Sequence, residues 1–339
     1  MFRKTNFWVI LVVSLFLVSV VAGCGGQKEQ PKPKTQDTSV IVMKLGHGSQ
    51  LKSPLQTTSE EFAKQIAEKT KGKVKIEVYG NMQIGQERDM VEGLQLGTVD
   101  LTIVSTGPLS GFAPGITVVD LPFLFNSEAH AYKVLDGEIG QGLLKQLEPK
   151  GIVGLAFLEN GFRHITANKK ILTPADLKGM KLRTMENKVH IATFKELGSS
   201  PVPMVWGEVY TSLGQKVIDG QENPIHIVYA NALWEVQKYV NLTGHFYTPY
   251  IFAASKKSLD KLPPDLQKIV KDTAKDMAAF ERNIIKSETG KQTEELKKKG
   301  MEIVTVDRKL FQTASQPVYK QFESQFGKDL IDKIAAAGK

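Results

Sequence analysis

Residues 74–105 read VKIEVYGNMQIGQERDMVEGLQLGTVDLTIVS, and their periodicity decides the fold class. Apolar and charged side chains alternate over residues 74–78, which is typical of a β-strand with one buried face. Residues 86–96 then place apolar side chains at helical spacing, and Gly97 ends this helix. Residues 100–105 return to an apolar run that suits a second strand. A helix between two successive strands predicts a β-α-β unit with parallel pairing.

The same alternation extends in both directions along the chain. Upstream, residues 41–45 predict a strand, and Ser53-Pro54 provide a helix cap and a first-turn proline. Downstream, the pattern predicts helices over residues 129–147, 189–197 and 208–213, strands over residues 152–158 and 180–183, and a capped turn at Thr173-Pro174. Two successive α/β units of similar size predict two lobes rather than one large sheet.

Residues 264–299 form a long helical pattern, PDLQKIVKDTAKDMAAFERNIIKSETGKQTEELKKK. After Pro264 it contains no proline, and only Gly290 favours a break. A helix of this length would span about 54 Å, which exceeds one small domain. Either one bent helix runs across both lobes, or two helices meet at Thr289-Gly290.

The N-terminal residues have the features of an export signal. Arg3 and Lys4 precede an apolar run over residues 7–22, which is shorter than the roughly 20 residues of a membrane-spanning helix. Val21-Ala22-Gly23-Cys24 follows, contains the only cysteine of the chain, and resembles the lipobox of bacterial lipoproteins. In that class the cysteine thiol carries diacylglycerol. We therefore expect a lipoprotein signal peptide at residues 1–23 and lipidation at Cys24; the alternative is a stray cysteine beside a simple anchor.

Residues 24–39 are expected to form a flexible tether. Residues 25–39, GGQKEQPKPKTQDTS, contain no apolar side chain that could offset the entropy lost on ordering. The predicted protein is an extracytoplasmic globule that a lipid holds at the cell membrane.

Composition and motifs argue against several classes of function. The 44 basic and 36 acidic residues give a charge of +8 and are interspersed, so no nucleic-acid partner is expected. The chain lacks a P-loop and a G-x-S-x-G motif, and its six histidines are scattered rather than paired at helical spacing. We therefore predict a binding protein without a metal or cofactor, and not an enzyme.

Several stretches together carry a family resemblance. The sequence DGQENP at residues 219–224 resembles the signature of the extracytoplasmic solute receptors of tripartite ATP-independent periplasmic (TRAP) transporters, the DctP-like family. The supporting stretches, in family order, are IGQERDMVEGLQLGTVDL (84–101), LPFLF (121–125), NGFRHIT (160–166), PADLKGMKLR (174–183), PVPMVWGEVYTSL (201–213) and ALWEVQKYV (232–240). One departure is Lys216, where relatives commonly have glycine, which puts the local turn in question.

The resemblance implies a two-lobed periplasmic-binding-protein (flytrap) fold of the α/β class, with a long helix spanning both lobes. One lobe would hold residues 40–160 and about 249–288, and the other residues 161–248 and about 289–339. Such receptors bind a small organic acid, here a sugar acid or a C4-type dicarboxylate, and deliver it to a permease with one small and one large membrane subunit.

The family match also assigns ligand-binding roles to individual residues. It makes Arg183 the partner of the ligand carboxylate, with Arg163 and Asn223 as further pocket residues. A guanidinium suits this role because it can donate two parallel hydrogen bonds to a carboxylate. The alternatives are a surface arginine at Arg183, a salt bridge at Arg163 and a simple turn at Asn223.

Three further residues complete the predicted site. The resemblance places Trp206 beside the ligand, although the lobe core is an alternative. Glu87 and Ser105 match a helix start and a strand end that face the cleft.

Two other receptor functions fit this sequence. A receptor of an ATP-driven importer would share the flytrap fold, although not DGQENP together with the spanning helix. A sensory receptor for a membrane kinase could have the same sequence. Neighbouring genes for a small and a large permease subunit would separate this last alternative from a transport receptor.

Overall fold

The computed structural model describes residues 40–338. The predicted signal peptide, the tether and Cys24 lie outside these described residues. Within this range, no helix combines the length and the apolar character needed to cross a membrane.

The described residues form strands, α-helices and short 3₁₀ helices, and strands and helices alternate through the first third of this range. The strands are β1 (Ile41–His47), β2 (Val74–Tyr79), β3 (Leu101–Ser105), β4 (Ile152–Ala167), β5 (Lys181–Thr184), β6 (Ser200–Pro203), β7 (Gly220–Asn223), β8 (Tyr239–Ser255) and β9 (Glu302–Val304). The helices are α1 (Pro54–Lys69), α2 (Glu87–Leu96), α3 (Thr106–Leu109), α4 (Glu128–Leu135), α5 (Glu138–Lys145), α6 (Lys188–Glu196), α7 (Val209–Gly214), α8 (Ile225–Ala230), α9 (Lys256–Leu259), α10 (Pro264–Lys298), α11 (Arg308–Ser315), α12 (Pro317–Phe326) and α13 (Lys328–Ala336). Short 3₁₀ helices cover Pro114–Asp120, Glu148–Lys150, Pro174–Leu177, Trp206–Glu208 and Leu233–Glu235.

The predicted β-α-β unit is confirmed. β1 pairs in parallel with β2 and with β3, as expected for strands joined by helices. Ser53 caps α1, since its side-chain oxygen accepts a hydrogen bond from the Gln56 N–H. Gly97 ends α2 with φ of 81°, a left-handed conformation that favours glycine.

Two long antiparallel strands connect the lobes, and the sheet is therefore continuous. Its strand order is β2-β1-β3-β8-β4-β7-β5-β6, with β9 paired to β8. One half of the β4–β8 pair adjoins β3, and the other half adjoins β7 and β9. The prediction of two lobes rather than one large sheet was wrong about the sheet alone, because β4 and β8 take part in both lobes.

The long helix is a single element of 35 residues, α10. Its residues Leu266, Val270 and Met277 belong to a core cluster with α1 and β1, while Leu296 belongs to a second cluster with α7 and α8. One continuous helix thus contributes to the cores of two separate parts of the molecule.

The prediction of one continuous helix over residues 129–147 is wrong. α4 ends at Leu135 and α5 begins at Glu138, with Asp136 and Gly137 between them. Gly137 is the N-cap of α5. Apolar residues return to helical spacing directly after it, so the sequence pattern does not show that the helix is interrupted.

The assignment of residue ranges to the two lobes stays a prediction. β4 and β8 change register between Leu158 and Gly161, which leaves Glu159 and Asn160 in an irregular segment of the pair.

Candidate functional site

A cavity of about 670 Å³, part of it open to solvent, lies at the carboxyl ends of several parallel strands. The end of a parallel strand is a common place for a ligand in α/β proteins. All six residues predicted from the sequence line this cavity: Glu87, Ser105, Arg163, Arg183, Trp206 and Asn223.

Arg183 lies near the end of β5 and is 3% exposed. Its Nε and Nη2 both donate to the main-chain oxygen of Met204, at 2.9 and 2.6 Å. The guanidinium carbon lies 5.6 Å from the centre of the Trp206 ring. Within residues 40–338, Arg183 forms no salt bridge, and its Nη1 has no hydrogen-bond partner. Burial lowers the pKa of Arg183 to about 10, so the side chain remains a cation at neutral pH.

Arg163, on β4, is buried beside the cavity but is already neutralised. Its Nε and Nη2 donate to the two carboxylate oxygens of Glu222, at 2.5 and 2.9 Å. Nη2 also donates to the main-chain oxygen of Glu222, at 2.6 Å. The salt bridge that was the alternative interpretation of Arg163 is therefore present, and Arg163 lines the cavity as well.

The Glu222 carboxylate is held in its charged form. His245 Nε2 lies 3.2 Å from its Oε2. Burial alone would raise the pKa of Glu222, but the charge of Arg163 and the hydrogen bonds from His245 and Arg163 outweigh it. The pKa of this carboxyl is consequently held well below its usual range. Arg163 thus offers the cavity little uncompensated positive charge.

Asn223 is fixed in orientation by a chain of hydrogen bonds. The Val236 main-chain oxygen can only accept, so it takes a bond from Gln237 Nε2. Gln237 Oε1 then accepts from Thr166, whose hydroxyl in turn accepts from Gln221 Nε2. Gln221 Oε1 is thereby left to accept from Asn223 Nδ2, at 2.6 Å. Asn223 ends β7 rather than forming a turn, and Pro224 is the N-cap of α8.

Glu87 and Ser105 bring an acidic group to the cavity wall. Glu87 is the first residue of α2, and Ser105 is the last of β3. Ser105 donates to the Glu87 carboxylate through its Oγ at 2.6 Å and through its main-chain N–H at 3.2 Å. Burial raises the pKa of Glu87, although the bonds from Ser105 oppose this shift.

Sequence reasoning missed two residues that shape the site. Glu222 lies inside DGQENP, but its role as the partner of Arg163 depends on the pairing of β4 with β7. Asn160 lies inside NGFRHIT, lines the cavity, and has a buried Oδ1 without a hydrogen-bond partner in the described part of the chain. Membership of a quoted motif was the only available signal for either residue.

The described residues contain no group of three or more histidine, cysteine, aspartate or glutamate side chains placed to hold a metal ion. The polar groups of the cavity instead suit an organic anion, because Arg183 supplies a charge and Glu87 and Asn160 supply acceptors.

A family model and similar relatives indicate the same protein family. The family model for bacterial extracellular solute-binding proteins, family 7, matches residues 45–325. A solute-binding protein of Verminephrobacter eiseniae is 43% identical over 280 residues, which cover 82% of this chain and 84% of that protein.

Two solved structures are similar over most of their length. One is a TRAP periplasmic solute-binding protein of Bordetella bronchiseptica with density interpreted as pantoate; it is 41% identical with a TM-score of 0.86, over 88% of this chain and 99% of that one. Another, from a Polaromonas species and bound to D-erythronate, is 40% identical with a TM-score of 0.85, over 87% and 98% of the two chains. The chain therefore belongs to family 7 of the bacterial extracellular solute-binding proteins, the family of the TRAP periplasmic receptors.

Proposed function

We propose that this protein captures a small organic acid, a sugar acid or a C4-type dicarboxylate, and delivers it to a TRAP-type permease. The observation that carries the proposal is the buried guanidinium of Arg183, whose hydrogen-bond partner is a neutral carbonyl. A buried cation that forms no salt bridge is costly, and an anionic ligand would reduce that cost.

The surroundings of Arg183 support a carboxylate ligand in particular. Nη1 is available for a hydrogen bond, and the Trp206 ring adds an apolar face for the carbon chain of the ligand. The Bordetella and Polaromonas structures, with pantoate and D-erythronate, provide two hydroxylated monocarboxylates as first candidates.

The first experiment identifies the ligand and then removes its proposed partner. A thermal-shift screen against organic acids should find a compound that raises the melting temperature by mass action. Calorimetric titration with that compound should then show that Arg183→Ala binds about 30-fold to several thousand-fold more weakly, which corresponds to roughly 2–5 kcal/mol.

The control for this titration is Lys195→Ala, which removes an exposed positive charge on α6 outside the cavity. It should bind like the wild type. Near-wild-type affinity of Arg183→Ala, or a best ligand without an acidic group, would refute the proposal.

The second part of the proposal concerns the membrane. We infer that Cys24 carries a lipid that anchors the protein on the outer side of the cell membrane, with residues 24–39 as the tether. The sequence Val21-Ala22-Gly23-Cys24 and the apolar-free stretch after it support this inference.

Fractionation of cells expressing Cys24→Ala tests the anchor. The variant should leave the membrane fraction while its ligand affinity stays unchanged, since Cys24 is remote in sequence from the residues of the cavity. A wild-type protein that is released and carries no lipid by mass spectrometry would contradict the anchor.

Delivery to the permease needs its own assay. The wild-type receptor should support uptake of the identified acid by vesicles that contain a small and a large TRAP permease subunit, and Arg183→Ala should support much less. Uptake that does not depend on the receptor would contradict this part of the proposal and favour a sensory role.

A further inference from the structure

The cavity wall offers hydrogen-bond acceptors as well as the cation of Arg183. Glu87 is an acceptor that Ser105 holds in place through two hydrogen bonds. Asn160 Oδ1 is a second acceptor, buried and unpartnered within residues 40–338. A buried acceptor without a donor, such as Asn160 Oδ1, is costly, and the Glu87 carboxylate can accept more than its two bonds from Ser105. A well-matched ligand should therefore bring O–H groups to both residues.

The charged side chains of the cavity wall favour organic acids with one carboxylate over those with two. Arg183 can neutralise one carboxylate. The other two arginines of the lining already have acidic partners, since Arg163 is paired with Glu222 and Arg88 with Glu92 at 3.1 Å. A second carboxylate on the ligand would therefore enter a cavity that already contains the carboxyl groups of Glu87 and Glu186. Like charges brought together in a desolvated site cost several kcal/mol in binding. A simple dicarboxylate also has no O–H donor for Asn160 or Glu87 at neutral pH.

We propose that Glu87 is a specificity-determining residue, which selects hydroxylated monocarboxylates and rejects the corresponding dicarboxylates. Asn160 assists by accepting a hydrogen bond from a ligand hydroxyl. This inference rests on the proposed function, because it narrows the ligand class of the same cavity.

The experiment compares two acids that differ at one carbon. D-Erythronate has one carboxylate and three hydroxyls, whereas meso-tartrate has a second carboxylate in place of the terminal CH₂OH. Competition calorimetry at pH 7.5 should show that the wild type prefers erythronate by roughly 100-fold. Galactonate and galactarate differ in the same way but have six carbons. They allow the same comparison if the protein prefers longer ligands.

Glu87→Gln removes the charge and keeps one oxygen, which can accept the bond from the Ser105 main-chain N–H, while its Nε2 can donate to Ser105 Oγ. It should reduce the preference for the monocarboxylate by at least about tenfold, mainly through tighter binding of the dicarboxylate. The control is Glu68→Gln, the same change at an exposed residue of α1 outside the cavity, which should keep the wild-type preference.

The possible outcomes distinguish a failure of the inference about Glu87 from a failure of the proposed function. Binding of acids with an unchanged preference in Glu87→Gln would overturn the role of Glu87 and leave the proposed function standing. A wild-type preference for meso-tartrate and galactarate would also overturn it, without any variant. If no organic acid binds the wild type at all, the proposed function and this inference both fail.

Discussion

Two arginines line the same cavity, and their surroundings differ in one decisive respect. Arg163 is paired with the Glu222 carboxylate through two hydrogen bonds, and the pair is almost completely buried. Arg183 is nearly as buried, yet its hydrogen bonds go to a main-chain carbonyl. Loss of one partner of a buried ion pair destabilises the folded state, whereas a buried charge that forms no salt bridge favours binding of an anion. The difference supports the proposed binding role of Arg183 and favours a structural role for Arg163.

The largest expected effect comes from breaking the first pair. Glu222→Gln leaves the buried charge of Arg163 without its partner, so the free energy of unfolding should fall by roughly 3–5 kcal/mol. Urea denaturation of the ligand-free protein measures this change.

Arg183→Met is the matched test at the second arginine. Without ligand its free energy of unfolding should stay within about 1 kcal/mol of the wild type, because loss of the carbonyl hydrogen bonds is offset by removal of an unpaired buried cation. Equal destabilisation by the two variants would show that the arginines do not differ in the way described.

Replacement by lysine should sharpen the same contrast with a smaller effect. An ammonium group is a point charge and cannot reproduce the planar fork of a guanidinium. Arg183→Lys should therefore weaken binding of the best ligand by about 10- to 100-fold while changing stability little. Arg163→Lys should instead lower the free energy of unfolding, since it loses the two-pronged contact with Glu222. Calorimetry measures the ligand affinity of each variant, and denaturation measures its free energy of unfolding. A larger loss of stability in Arg183→Lys together with a larger loss of affinity in Arg163→Lys would contradict the proposed roles.

Some of this arrangement could be predicted from the sequence. Glu87, Ser105 and Arg183 lie at or near the start of a helix or the end of a strand, where short-range patterns are informative. Their meeting in one cavity follows from parallel strands whose carboxyl ends share one edge of the sheet.

The pairing of Arg163 with Glu222 could not be predicted in this way. It depends on the antiparallel register of β4 and β7, in which Ile165 faces Glu222 and His164 faces Asn223. No local pattern specifies which residues face each other across strands separated by more than 50 positions in the chain. The 17-residue strand β8 was missed for a related reason, since it is buried along nearly its whole length and lacks a clear alternation.

A pH-dependent effect of intermediate size tests the surroundings of Arg163. His226 donates through Nε2 to the Asn160 main-chain oxygen, at 2.8 Å, and burial lowers its pKa to about 4, with a further contribution from the charge of Arg163. A histidine with a depressed folded-state pKa contributes stability that is fully present above its unfolded value, near 6.5, and is lost as pH falls toward 4.

His226→Gln should reveal this contribution in denaturation curves at pH 7.5 and pH 5. The wild type should lose about 2 kcal/mol more stability than the variant over this interval, because at pH 5 its imidazole is protonated in the unfolded chain but stays largely neutral in the folded protein. Parallel losses in the two proteins would show that His226 titrates normally.

The smallest expected effect lies outside the cavity, at Lys216. This exposed residue follows α7 with φ of 59°, a left-handed conformation that favours glycine. A left-handed conformation costs a residue with a side chain roughly 1–2 kcal/mol, although glycine loses part of this advantage through the greater freedom of its unfolded chain. Lys216→Gly should therefore raise the free energy of unfolding by about 0.5 kcal/mol and leave ligand affinity unchanged. Lys216→Ala removes the same charge but keeps a Cβ atom, so it should not stabilise the protein. Equal stabilisation by both variants would point to charge rather than backbone conformation, and a change in affinity would show that stability at this turn is coupled to the Arg183 site.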